Sequence, residues 1–334
     1  MGHKICETGY ADATRNLFQI TDRTSHITNF TMNKKQQSEL AGIVPDGIEF
    51  NCPMDQYTTF RAGGKAEVIC FPSELETLSR VVSYLHNENI PCLILGNGSN
   101  VLVKDNGIEG VVIVLKGRLA AVEKMGDRGE ILLAGGGLSI AKLLSYSGIE
   151  GFSGLEFLAG IPGTVGGAVF MNAGAFGWEI GSTVQEIRIV TGKGEPSLVA
   201  GSQLNFSYRG SSLPKRAVIH GVKFKLHKEH KDKINGRIAD YLKKRKKSQP
   251  LDFPSAGSVF RNPPGDHAGR LIEEAGLKGT RIGGAMISPM HANFIVNTGG
   301  AKAEHIIALM DLARGKVREE TGIDLEPEIK VVGK

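Results

Sequence analysis

The groups best placed to bind a ligand in this sequence are backbone amides. Between Gly154 and Gly177, seven of twenty-four residues are glycine. Glycine lets the main chain approach a ligand closely and reach positive φ, at an entropic cost that an ordinary element avoids. Leu155, Phe157, Leu158, Ile161, Val165, Val169 and Phe170 make the stretch too apolar for a linker. Pro162 stiffens its middle, Thr164 offers a hydroxyl, and Asn172 follows. A buried loop must satisfy its N–H groups somewhere. A flat, polar-edged ligand held by backbone donors meets that demand; a packing loop between sheets is the plainer alternative.

A second loop, Gly96-Asn97-Gly98-Ser99-Asn100, lies between the apolar runs Leu93–Leu95 and Val101–Val103. Its amides and the Ser99 hydroxyl can converge on a phosphate as a nest. Taken alone, a hairpin turn explains it as well. It is not the dinucleotide fingerprint, which needs G-x-G-x-x-G opening a helix after a strand. Tyr57–Gly64 adds an aromatic, Arg61 and Gly63-Gly64. That segment suits a phosphate or a planar ring, and equally a turn into a strand at Ala66–Phe71.

Composition narrows the class. The chain has 334 residues, 41% hydrophobic and 22% charged, enough for two or three domains with a sizeable core. The net charge of +5 suits an anionic ligand and is too modest to imply nucleic acid. Cys6, Cys52, Cys70 and Cys92 show no C-x-x-C or Cys/His ligand spacing, so free thiols in a reducing compartment and no metal site are expected. No run approaches a membrane span and no signal peptide is visible, which points to the cytoplasm.

The elements that must carry these loops follow from periodicity and caps. Residues 1–45 read as a loosely held extension with a short helix near Lys34–Ala41, and the fold is expected to begin near Ile48. Ser73-Glu-Leu-Glu76 reads as a capping box opening a helix to Asn87. Strands are expected at 92–95, 111–115, 131–134, 184–190 and 217–226. A helix at 138–147 is expected to close on Gly148. Residues 227–247 read as an amphipathic helix with Ile234, Ile238, Tyr241 and Leu242 on one face. Its basic face lacks the interleaved aromatics that stack bases. Ala268–Ala275, closed by Gly276, and Ala301–Thr321, closed by Gly322, read as helices, with strand 294–296 between them. Leu325–Lys330 reads as an edge strand, limited by Pro327, with Glu326 and Glu328 on one face. Strands and helices alternate without a regular βαβ series, so the fold class is α+β.

In their order, these motifs resemble the MurB flavoproteins, the UDP-N-acetylenolpyruvoylglucosamine reductases. The resemblance runs from about Ile48 to Val332 through Thr59-Phe-Arg-Ala-Gly-Gly64, Leu95–Asn100, Gly160–Gly167, Asn172–Gly177 and Phe206-Ser-Tyr-Arg209. It continues through Ala256–Pro263, Gly276–Gly279, Gly283–Ala285, His291-Ala-Asn293 and Leu325-Glu-Pro-Glu328. It implies a two-part FAD-binding cradle of the vanillyl-alcohol-oxidase/PCMH-like type, at 46–117 and 118–226. A C-terminal α+β substrate domain would follow at 227–324, with 325–334 returning to the active site. About fifty residues separate Arg209 from Ser258, which looks like the family's shorter class, type II.

The resemblance also implies the reaction. NADPH reduces bound FAD, and the hydride then passes to the enolpyruvyl group of UDP-N-acetylglucosamine enolpyruvate, giving the peptidoglycan precursor UDP-N-acetylmuramate. Carried over by position, Arg209, Ser258 and Glu328 would be catalytic: a cation for the developing negative charge, a proton donor, and a carboxyl that helps if burial keeps it protonated. Arg61, Gly63, Gly96, Asn97, Gly98, Ser99, Asn100, Gly160, Ile161, Pro162, Gly163, Thr164, Gly166, Gly167, Asn172 and Gly174 would hold the cofactor. Tyr208, Arg245, Gln249, Asn262, His291 and Asn293 would line the substrate path. No metal, membrane or nucleic acid is implied, and a monomer is favoured. Two other readings compete: a flavin oxidase or dehydrogenase on the same cradle, and a non-catalytic basic nucleotide- or RNA-binding protein.

Overall fold

The computed structural model describes residues 30–125, 131–214 and 216–334. Cys6 and most of the expected N-terminal extension lie outside them. The fold starts earlier than Ile48. Helix Lys34–Ile43 is opened by a reciprocal cap between Asn33 and Gln36. Met32, Leu40 and Val44 are buried in the same core as the helix Leu75–Asn87. Three apolar side chains in a polar stretch suffice to dock it.

The first lobe is a four-stranded sheet in the order Ile48–Pro53, Lys65–Cys70, Ile108–Ile113, Cys92–Ile94. The first pair is antiparallel and the rest parallel. Helix Leu75–Asn87 covers it with Leu78, Val81, Val82 and Leu85. That helix starts at an N-cap, Glu74, whose side chain makes no capping bond, so the box expected at Ser73 does not form.

The second lobe is an antiparallel five-stranded sheet. Its order is Pro196–Ala200, Val184–Val190, Val218–Lys225, Ile131–Gly135, Val122–Met125. Helix Ile140–Glu150 begins at Ser139 and ends at Gly151, with φ 74°. Gly148 is not its stop; it is buried inside the helix, where a Cβ would strike the side chain of Asn235. The glycine there serves a helix crossing. The partner is the basic helix, Lys231–Ser248. Ile234 is buried and Ile238 and Tyr241 face the core, while Leu242 stays 45% exposed. Arg237 fastens the helix, donating to Glu156 at 2.6 Å and to Ser153 at 2.9 Å. Strand His227–Lys228 pairs with Phe152–Ser153. By packing, residues 227–248 go with the second lobe.

The third lobe has a meander, Arg281–Ile282, Ala285–Ile287 and Ile295–Asn297, under helices Ala268–Glu274 and Ala303–Thr321. Its core includes Phe60, Ala62 and Leu102 from the first lobe. Asp105 reaches across and accepts from the N–H groups of Ala303 and Glu304, both at 2.9 Å, capping the long helix. The expected edge strand at 325–330 reduces to an isolated bridge between Pro327 and Phe260. Proline has no N–H to extend a ladder. Regular pairing resumes at Lys330–Val332, parallel to Val101–Val103. The architecture is α+β, as the pattern of elements implied. Cys52, Cys70 and Cys92 are free and buried. Among the described residues no helix is long and apolar enough to cross a membrane, and no cluster of metal-ligating side chains occurs.

Candidate active site

The two glycine loops face each other between the lobes. The Asn97 side chain donates to the Gly163 carbonyl at 3.4 Å. Gly96 lies so near Thr164 that a Cβ would come within 2.5 Å of its hydroxyl. Thr59 pins the first loop from behind, donating N–H to the Gly98 carbonyl at 3.2 Å. The apolar residues of the long stretch are not at the ligand surface. Leu155, Phe157, Leu158, Val165 and Val169 fill the second-lobe core, and Gly160, Pro162 and Gly167 are left exposed. Gly166 donates to Gly136 and Val165 to Leu138, each at 2.8 Å. Thr164 is spent as an N-cap, its hydroxyl oxygen accepting from Gly167. On the longer loop the N–H groups of Gly160, Gly163 and Thr164 donate to no described protein group, and the shorter loop offers a continuous run. The N–H groups of Asn97, Gly98, Ser99 and Asn100 donate to no described protein group. Four successive free amides make a concavity for an anion, and they fit the pyrophosphate of a dinucleotide cofactor.

Arg209 and Glu328 meet although they are 119 residues apart. Tyr208 and Arg209 form the two-residue turn between Phe206–Ser207 and Gly210–Ser211. Arg209 has φ 58°, a region that costs a side-chain-bearing residue energy and recurs at functional sites. Its Nε donates to Glu328 Oε1 at 2.7 Å, with 22% and 15% of the two side chains exposed. Burial raises the Glu328 carboxyl above its ordinary range, and the neighbouring Arg209 only partly offsets it. Glu326, its neighbour but one, pairs with Arg261 at 3.1 Å.

Ser258 sits beside this pair. It bridges Phe294 on one side, while the next residue, Val259, accepts through its carbonyl from Glu328 N–H at 2.7 Å on the other. The Ser258 hydroxyl is half-buried and has no described protein partner. Asn100 ties the segment to the anion loop. Its side chain donates to the Glu328 carbonyl at 3.1 Å and its own carbonyl accepts from Lys330 N–H at 2.9 Å.

Arg245 comes up from the basic helix, with its guanidinium 5.7 Å from the Phe176 ring. One of its terminal nitrogens donates to Gln249 at 3.4 Å. Its Nε is buried without a partner. Burial, and Arg209 nearby, work against its charge. A phosphate would satisfy both deficits. Phe176 stacks on Tyr241 with ring centres 4.4 Å apart.

Several expected ligand residues also bond or pack against protein. Asn293, 3% exposed, exchanges two hydrogen bonds with the Phe260 backbone and so holds the Ser258 strand. Asn262 accepts from Ala268 N–H at 3.1 Å, steadying a helix start. Asn172, 0% exposed, uses both amide hydrogens on Glu179 and Ser207. Gly63 lies against Val103, where a Cβ would be 2.7 Å from its carbonyl. Arg61 and Tyr208 are exposed, and the Tyr208 ring lies 5.0 Å from the Arg209 guanidinium. Gly174 forms the floor beneath Arg209. His291 packs on Phe294 at 4.9 Å and accepts at Nδ1 from Asn293 N–H, and burial depresses its pKa. The neutral ring then carries its proton on Nε2. Sequence reasoning missed Lys330, a half-buried amine whose pKa burial lowers, near Arg261, Glu326 and Glu328. Its signal was the spacing of two from Glu328.

The C-terminal domain model of UDP-N-acetylenolpyruvoylglucosamine reductase matches residues 249–332, and an FAD binding domain model matches 66–197. UDP-N-acetylenolpyruvoylglucosamine reductase of Syntrophomonas wolfei is 40% identical over 292 residues, 87% of this chain and 97% of the relative. That of Caldanaerobacter subterraneus is 38% identical over 297 residues, 88% of this chain and 97% of the relative. The crystal structure of the Thermus caldophilus enzyme superposes with a TM-score of 0.73 at 38% identity, covering 84% of this chain and 97% of the other. Matches at 38–40% identity across 84–88% of the chain place it in the UDP-N-acetylenolpyruvoylglucosamine reductase family.

Proposed function

We propose that this chain is an FAD-dependent, NADPH-consuming reductase that converts UDP-N-acetylglucosamine enolpyruvate to UDP-N-acetylmuramate in two half-reactions sharing one pocket. The carrying observation is the convergence of Arg209, Glu328 and Ser258 beside a loop of four unpartnered amides. The bound flavin supplies hydride to the outer enolpyruvyl carbon. The chain's residues supply position, charge and proton.

The amides of Asn97–Asn100 hold the pyrophosphate, with Gly160–Gly167 as the facing wall. Arg209 grips the substrate carboxylate and faces the negative charge that develops beside it, the arrangement that contributes most when water is excluded. Glu328 fixes the guanidinium through Nε and, protonated, donates to the same oxygens. Ser258 gives its proton to the inner carbon, and with no acceptor among the described residues that hydroxyl is free to turn toward substrate. Arg245 and Gln249 meet the substrate phosphates, and His291 offers Nε2–H. Residues 46–117 and 118–248 act as cradle, 249–324 as substrate lobe, and 325–334 closes the site. The protein works in the cytoplasm as a monomer without nucleic acid.

The test is anaerobic. Flavin reduced by one equivalent of NADPH is mixed with the enolpyruvate substrate and its absorbance followed. Rapid return of the oxidised spectrum is expected. Flavin that reduces but never reoxidises removes the substrate assignment.

A further inference from the structure

Arg209 reaches its place through a turn with an unfavourable φ of 58°, so something must hold that turn. Glu328 grips the guanidinium from the front. Behind the turn stands Asn172, fully buried and itself at φ 42°. Its amide nitrogen donates to the carbonyl of Ser207, the residue before Tyr208, at 3.0 Å. The same nitrogen donates to Glu179 at 2.7 Å, and its oxygen accepts from Gly181 N–H at 3.1 Å. Ser211, just past the turn, is fastened separately, its hydroxyl donating to the Phe170 carbonyl at 2.9 Å. Gly174, paired with Glu179 in the short hairpin, lies beside the guanidinium; a Cβ there would meet the Trp178 carbonyl at 2.7 Å and the Glu179 side chain at 2.9 Å.

We infer that Asn172 is a positioning residue for Arg209, with Glu179 as its anchor, and not a ligand of the cofactor. One side chain joins the floor under the guanidinium, at 179–181, to the strand that delivers it. All its hydrogen bonds run inward, none toward the glycine loops. A buried amide with every hydrogen placed is rigid, and rigid support is what a charge aimed at a transition state requires. The inference rests on the proposed role of Arg209.

The test uses Asn172→Gly, which tolerates the positive φ, and Glu179→Ala, each with and without Arg209→Met. FAD content and flavin reduction by NADPH are expected to stay within about twofold of the parent. Reoxidation by the enolpyruvate substrate is expected to slow roughly 10- to 100-fold, the scale of an ångström-sized misplacement. In the Arg209→Met background the same substitutions are expected to add almost nothing, since no guanidinium remains to misplace. Losses that multiply in the double variants, a fall in both half-reactions, or loss of FAD would each overturn the inference. Should Asn172→Gly fail to fold, Glu179→Ala decides by the same readings. If Arg209→Met alone reoxidises at the parent rate, the role of Arg209 fails; if it is slow while Asn172→Gly and Glu179→Ala are not, only the positioning fails.

Discussion

Replacing Arg209 by Met isolates the charge pair at the centre of the site. Methionine keeps the aliphatic reach and removes the guanidinium. Both partners are largely buried, 22% and 15% exposed, and breaking such a pair from one side costs about 3 kcal/mol, because the other charge is left without compensation. Unfolding entropy near 2.1 cal/mol/K per residue, over about 300 residues, turns that into a Tm loss of about 5 °C. Glu328 can escape the full cost by taking up a proton. Its folded pKa is already raised by burial, and without Arg209 it rises further. A carboxyl raised in this way favours the folded state below its unfolded pKa, and that advantage is lost as pH climbs through the folded pKa. The variant goes on losing stability at pH values where the parent has stopped. Its deficit is therefore small in acid, where the carboxyl is neutral and only one hydrogen bond from the guanidinium, about 1.5 kcal/mol, is missing, about 2 °C in Tm by the same entropy. It grows to the full value toward pH 8. Thermal unfolding of parent and variant, both saturated with FAD, at pH 5 and pH 8 reads this directly. A deficit equal at both pH values, or larger at pH 5, refutes the reasoning.

Other substitutions separate roles. Ser258→Ala breaks no hydrogen bond among the described residues, so Tm is expected to move by less than about 1 °C. Flavin reduction should persist while reoxidation slows by roughly 10²–10⁴, and a parallel fall in both would remove the proton-donor role. Arg245→Met is expected to raise KM for the UDP-linked substrate about 10- to 100-fold, as loss of a charge-assisted contact does; an unchanged KM sinks the phosphate contact. Asp105→Ala uncaps two helix amides across lobes, which costs about 1–2 kcal/mol, or about 2–3 °C. Its flavin spectrum is expected to match the parent's, and a Tm equal to the parent's would show that the cap bears no weight.

Much of the fold was legible because side-chain period and caps are local. Strand Val184–Val190 and the αL glycine at 322 stand where the pattern put them. Errors arose where a residue had a distant reason to be there. Gly148 looked like a stop and is a crossing point for Asn235. Leu325–Lys330 looked like a strand, and Pro327 leaves it one bridge. The free amides of 97–100 were foreseeable from G-N-G-S-N. The meeting of Arg209 with Glu328 was not, since no periodicity links positions so far apart; only the family resemblance placed them together. Asn172 and Asn293 have contacts that no local pattern foretells. Both sit near the chemistry, and each has its amide bound to main chain.

The double hold of Asn100 on Glu328 and Lys330 also bears on how the molecule comes to life after synthesis. That tie spans 228 residues, and Asn297 reaches Phe60 across 237. Contacts this remote in sequence close late, after the local ladders that make them worthwhile. The glycine cradle, built from residues before 250, can thus take shape while the carboxylate wall is still unplaced. During refolding, quenching of FAD fluorescence is expected to recover ahead of turnover, with the interval between them marking the time that Glu328 takes to arrive.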